Sequence, residues 1–78
     1  MRATFRKTQL ISQDRSIYIA YEGIEIVTLE NGDCCIHAWY PRGRSIPMGT
    51  YHSRELAESI CNEIMNAVEE GRPRYLLP

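Results

Sequence analysis

The sequence predicts an α+β fold: an antiparallel β-meander of four to five strands, followed by one long amphipathic helix packed on one face. Three observations predict it. β-Branched and aromatic runs alternate with turn residues between Thr8 and Tyr51. Asn31-Gly32 separates two such runs, a strong short hairpin signal. Beyond Ser53, Leu56, Ile60, Ile64 and Val68 recur at helical spacing.

The elements follow in order. Thr8 to Ser12 reads as a short strand, and Ser12-Gln13-Asp14-Arg15 as a turn. Ser16 to Tyr21 is a second strand, broken by Glu22-Gly23, and Ile24 to Leu29 is a third. Cys34 to Tyr40 returns after the Asn31-Gly32 turn, and Ser45 to Tyr51 follows a four-residue turn, Pro41 to Arg44. Pro47 has no N–H for a ladder, so that last strand belongs at a sheet edge. Ser53 is the expected N-cap, with Glu55 and Glu58 near the positive end of the helix dipole. Ala57, Cys61 and Ala67 widen the apolar stripe, Gly71 is placed to end the helix and Pro73 blocks its continuation. The tail, Tyr75-Leu76-Leu77-Pro78, is apolar enough to require a docking surface.

A chain of 78 residues is expected to be one domain, 1–78, with strands about 8–51, helix about 54–70 and tail 71–78. A domain of this size buries only about 60% of its unfolded surface, so it calls for a dense core or a partner. The net charge of −1 argues against binding a nucleic-acid polymer, which rests on neutralising Lys and Arg. Cys34, Cys35 and Cys61 are odd in number and form no C-x-x-C pair. They are expected as free thiols in a reducing, cytoplasmic compartment, with no metal site. Met1 to Lys7 has charges but no apolar run after them, which is not the pattern of a signal peptide. No stretch approaches the ~20 apolar residues of a membrane span.

Register decides which residues reach a partner. With Glu30 paired to Asp33 across a two-residue turn, Leu29 faces Cys34, Val27 faces Ile36 and Glu25 faces Ala38. That face, with Pro47 and Gly49, is shallow and suits the helix. The other face then carries Ile24, Ile26, His37, Trp39, Ile46 and Met48 with nothing to cover it. Ile24, Ile26, Trp39, Ile46 and Met48 are therefore the expected interface of a homo-oligomer, a dimer or larger. Arg42, Arg44 and Arg74 carry guanidinium forks suited to phosphate, and Trp39 with His37 supplies stacking and hydrogen bonding. These five are the expected contacts of an anionic nucleotide ligand. No Ser/His/Asp arrangement is legible, and His37 has no acidic or thiol partner at ligand spacing, so neither catalysis nor a cofactor is expected.

Leu10-Ile11-Ser12-Gln13-Asp14, followed by strands and then Pro47-Met48-Gly49-Thr50-Tyr51-His52-Ser53 leading to Ala57, resembles a group of very small proteins encoded by phages and prophages of Firmicutes. Their pattern is Ile-Ser-Gln-Asp, then Leu-Gly-x-Tyr-x-Ser-x-x-x-Ala. Arg15 stands here where that pattern has glycine. The resemblance implies a phage accessory protein that counters host antiviral defence, by sequestering a nucleotide signal or by blocking a host defence protein. It transfers no catalytic residue. A homo-oligomeric phage structural or regulatory protein without a small ligand is the alternative.

Overall fold

The computed structural model describes residues 7–78. Met1–Arg6, most of the N-terminal run with no signal-peptide pattern, lies outside the described residues. Six strands and one helix are present: β1 (Gln9–Ile11), β2 (Tyr18–Ala20), β3 (Ile24–Thr28), β4 (Cys34–Trp39), β5 (Ser45–Tyr51), α1 (Arg54–Glu69) and β6 (Arg74–Leu76). The α+β class and the meander hold, but the strands divide into two sheets. One has the order β3-β4-β5 and is antiparallel throughout; the other has the order β2-β1-β6, with β6 parallel to β1.

Both hairpins of the β3-β4-β5 sheet turn through three residues. Leu29 N–H donates to Asp33 O at 2.7 Å, and Gly32 N–H donates to Leu29 O at 3.0 Å. Tyr40 and Arg44 repeat the arrangement at 2.7 Å, with Gly43 N–H donating to Tyr40 O at 3.1 Å. Gly32 and Gly43 take φ of +93 and +87, whereas Asn31 keeps a negative φ. A type I′ turn needs positive φ at both central residues; these are instead turns that end in a left-handed glycine. Asn31 is held in place by its own side chain, whose Oδ1 accepts from Asp33 N–H at 2.9 Å.

One extra loop residue shifts the register by one and exchanges the faces. Ile24 pairs with Ala38, Ile26 with Ile36 and Thr28 with Cys34. The expected pairs Val27/Ile36 and Ile26/His37 are therefore corrected. In β5, Ile36 does pair with Gly49 as expected, but a bulge at Met48 places His37 opposite Pro47 and Ala38 opposite Ile46. Ile24, Ile26, Ile46 and Met48, expected on a bare face, lie on the helix side. Met48 is buried in the core and the three isoleucines pack against it, half-buried.

The helix lies on this inner face through Ala57, Ile60, Ile64 and Ala67. The contact line thus begins and ends on an alanine, while Leu56 is 39% exposed at its margin. Ser53 caps the helix as expected, its Oγ accepting from Leu56 N–H at 3.0 Å. At the other end Gly71 N–H donates to Val68 O at 3.1 Å and Arg72 N–H to Ala67 O at 3.0 Å, a Schellman closure around the left-handed Gly71.

The tail docks, as its composition requires, by adding β6 beside β1. Leu77 is fully buried. The residues that hold it are those that carry the phage-protein resemblance. Gln13 N–H donates to Met48 O at 2.7 Å, and its side chain receives Thr50 N–H at 3.1 Å and donates to Pro78 O at 3.1 Å. Tyr51 Oη donates to Pro78 O at 2.9 Å. Gly49 leaves room for that phenol: a Cβ there would stand 2.6 Å from Tyr51 Oη. Asp14 closes the first turn, its carboxyl held down at about 2 by hydrogen bonds from the Ser16 hydroxyl and amide and the Ser12 hydroxyl. Arg15 adopts φ +67, where the pattern has glycine, and its guanidinium donates to Leu77 O at 2.9 Å and Ser12 O at 3.2 Å.

Two outcomes follow from the clamp. Arg15→Ala keeps the left-handed backbone and loses both guanidinium bonds, so it should destabilise by about 1–2 kcal/mol. Arg15→Gly loses the same bonds but relieves about 1 kcal/mol of backbone strain, so in urea it should unfold later than Arg15→Ala. Burial pushes the Tyr51 phenol up to about 12 from 10.0, with the neighbouring Cys35 and Cys61 adding to it. Burial, then the Glu63 carboxylate that accepts from its hydroxyl, raises Tyr75 as well. Folding raises both phenols, so their contribution is whole below pH 10 and is lost as pH rises, for Tyr51 towards about 12. Urea midpoints should fall across that alkaline window, and less steeply in Tyr51→Phe.

Candidate functional site

The helix covers only one side of β3-β4-β5. Alternation along the strands sends Glu25, Val27, Cys35, His37 and Trp39 to the other side. The register sets them in rows: Glu25, His37 and Pro47 in one, Val27, Cys35 and Thr50 in the next, with Trp39 beside Ser45 towards the hairpin loop. Cys35 is 4% exposed, while Val27, His37 and Trp39 are half-buried. Trp39 lies over Gly23, whose missing Cβ would meet the indole Cδ1 at 3.5 Å, and the Trp39 backbone N–H donates to Gly23 O at 2.9 Å.

His37 and Trp39 therefore share a face, as expected from their spacing on one strand. The arginines do not join them as a cluster. Arg42 lies in the exposed hairpin loop, and Arg44 is adjacent to Ser45 in sequence, so alternation sends it away from Trp39. Arg74 is exposed in β6 of the other sheet, where it pairs with Gln9. Among the described residues none of the three makes an ion pair, whereas Arg72 is held by Glu70 at 2.9 Å. Four surface clefts have volumes of about 370, 230, 310 and 300 Å³, and none of these is lined by His37, Trp39, Arg42, Arg44 or Arg74.

Ser45 is the residue that sequence reasoning left without a role. Its Oγ stands 3.2 Å from His37 Nδ1, and Glu25 is the cross-strand neighbour of His37 on the other flank. The only available signal was the loop length, since a four-residue loop sets Ser45 out of register with Trp39. A serine and an imidazole at this distance meet one requirement of nucleophilic catalysis. The pair lies on an open strand face, outside the four clefts. Hydrogen bonding to the exposed edge of a bound partner is within its chemistry. Cys34, Cys35 and Cys61 are free thiols, and burial raises the Cys61 thiol, with Glu58 adding to it. No group of three metal-binding side chains occurs among the described residues. No described helix is long and apolar enough to cross a membrane.

Comparison with protein-family models, with curated proteins and with solved structures finds no match to this chain.

Among the described residues neither loop guanidinium makes a hydrogen bond or ion pair, so changing both Arg42 and Arg44 to Ala should move the unfolding free energy by less than about 0.5 kcal/mol. Chemical denaturation of the double variant measures this; a larger loss would place the guanidinium groups in the fold's own stability.

Proposed function

We propose that the chain is a non-enzymatic binding protein that acts by occluding a partner protein, using the outer face of β3-β4-β5. One observation carries this reading. A half-buried tryptophan, a histidine, a valine and a buried cysteine lie side by side on a sheet face that the chain's own helix leaves uncovered. None of the four clefts is lined by Val27, Cys35, His37 or Trp39, and an aromatic anchor outside a cleft suits a protein partner. Nucleotides are more often held in concave sites lined by convergent polar groups. The separation of Arg42, Arg44 and Arg74 therefore favours the blocking mode over sequestration of a nucleotide signal. On the resemblance to phage-encoded proteins, the partner is a host antiviral defence protein.

The test is a plating assay in cells that each carry one defence system, with this chain supplied in trans. The parent should restore phage growth against one system. Trp39→Ala should bind the corresponding defence protein about 30-fold more weakly, as loss of a central aromatic anchor does, and should fail to restore growth at equal abundance. If Trp39→Ala protects as well as the parent while the double Arg42→Ala, Arg44→Ala variant fails and loses nucleotide binding in calorimetry, sequestration is the function instead.

A further inference from the structure

We infer that the outer edge of β3, which no described strand pairs with, is a docking site for a second copy of this chain, two β3 strands pairing antiparallel about a two-fold axis at Ile26. The proposal stands on the backbone of β3 and is independent of what the outer face binds. An edge strand offers unpaired N–H and C=O groups, and proteins normally blunt it with prolines, bulges, shortness or a covering segment. The other edges here have such devices. β5 has Pro47, the bulge at Met48 and Gln13, which bonds to Met48 and Thr50. β2 and β6 are each three residues long. β3 has five residues, Ile24-Glu25-Ile26-Val27-Thr28, without proline, glycine, lysine or bulge.

The hydrogen-bond phase of β3 fixes the geometry. Leu29 bonds Asp33 and Trp39 bonds Gly23, so Gly23, Glu25, Val27 and Leu29 direct their backbone groups towards β4. Ile24, Ile26 and Thr28 direct theirs outward, and among the described residues no loop or side-chain hydrogen bond ends on them. A two-fold axis at Ile26 sets Ile26 against its own copy and Ile24 against Thr28 of the copy. Every outward N–H then meets an outward C=O. Glu25 falls opposite Val27 of the copy, so no carboxylates oppose each other. An axis at Glu25 would oppose two carboxylates directly, which is unfavourable.

The consequence for recognition is one of size. Three strands about 4.8 Å apart and some six residues long present roughly 300 Å² on one face. Stable interfaces bury about 800 Å² per partner. Edge pairing makes the outer faces of two copies one continuous six-stranded surface, bringing two Trp39 anchors and two His37–Ser45 pairs to the same side.

The experiment measures self-association of the purified chain by sedimentation at micromolar concentration. The parent should have twice the 9.0 kDa chain mass. Val27→Glu sets glutamate against Glu25 of the copy twice per dimer, whereas Val27→Lys sets lysine there. Both variants delete the same apolar group and differ in the charge they set against Glu25 of the copy. The dissociation constant of Val27→Glu should exceed that of Val27→Lys by roughly tenfold or more. Thr28→Pro is the second variant: it removes an outward N–H and leaves the β4 ladder whole, so it should dissociate the dimer without lowering the monomer's urea midpoint. A monomeric parent, equal constants for the two Val27 variants, or a Thr28→Pro dimer as tight as the parent would each overturn the proposal.

Discussion

A left-handed glycine at the third position of each hairpin loop governs the side taken by nearly every residue between Ile24 and Ile46. Gly32 and Gly43 supply the positive φ that closes a three-residue loop, and the strands leave each loop one step out from a two-residue register. From that step follow the packing of Ile24, Ile26 and Ile46 on the helix side and the placing of Val27, His37 and Trp39, also half-buried, on the other face. The bulge at Met48 then returns β5 to the pairing of Ile36 with Gly49 and places the methionine side chain in the core. The small residues Ala57 and Ala67 let the helix lie close enough to cover this face.

A second constraint joins the two sheets. β1 continues into Gln13, which bonds along the edge of β5 and also to Pro78, while Tyr51 reaches Pro78 from β5 itself. Ser12, Gln13, Asp14, Gly49, Tyr51 and Ser53 all have structural work: one turn, a clamp, a clearance and a helix cap. The motif behind the phage-protein resemblance is thus explained by architecture and needs no catalytic role. Arg15 fits the same account, because its strained backbone is offset by two carbonyl bonds that a glycine would lack.

Much of this was legible in the sequence where local chemistry decides structure. Ser53, Gly71 and Pro73 mark the helix ends through capping geometry that depends on a few neighbouring residues. Pro47 marked an edge strand for a similar reason. The hairpin register was not legible, because Asn-Gly fits both a two-residue and a three-residue loop, and the difference lies in the φ of Asn31. Face assignments across strands inherited that slip, which is why Ile24, Ile26, Ile46 and Met48 moved inward. His37 and Trp39 stayed together because they lie two residues apart on one strand, a relation no slip can alter. The partnership of β6 with β1 was hidden for another reason: three residues of mixed polarity carry no periodic signal, and their partner lies at the far end of the chain.

That distance has a kinetic meaning. Gln13 and Pro78, joined by a hydrogen bond, are 65 positions apart, and the β1–β6 ladder spans the same separation. Closing so long a loop costs chain entropy before any contact is gained, and folding rates fall as such contacts dominate. The β3-β4-β5 sheet closes through short hairpins and can form early. β1 and β2 are joined by a short loop as well, but β6 pairs with β1 only after the helix has turned the chain back. During that interval the groove that receives Leu77 stands open, so the last strand to arrive is also the one that seals the core.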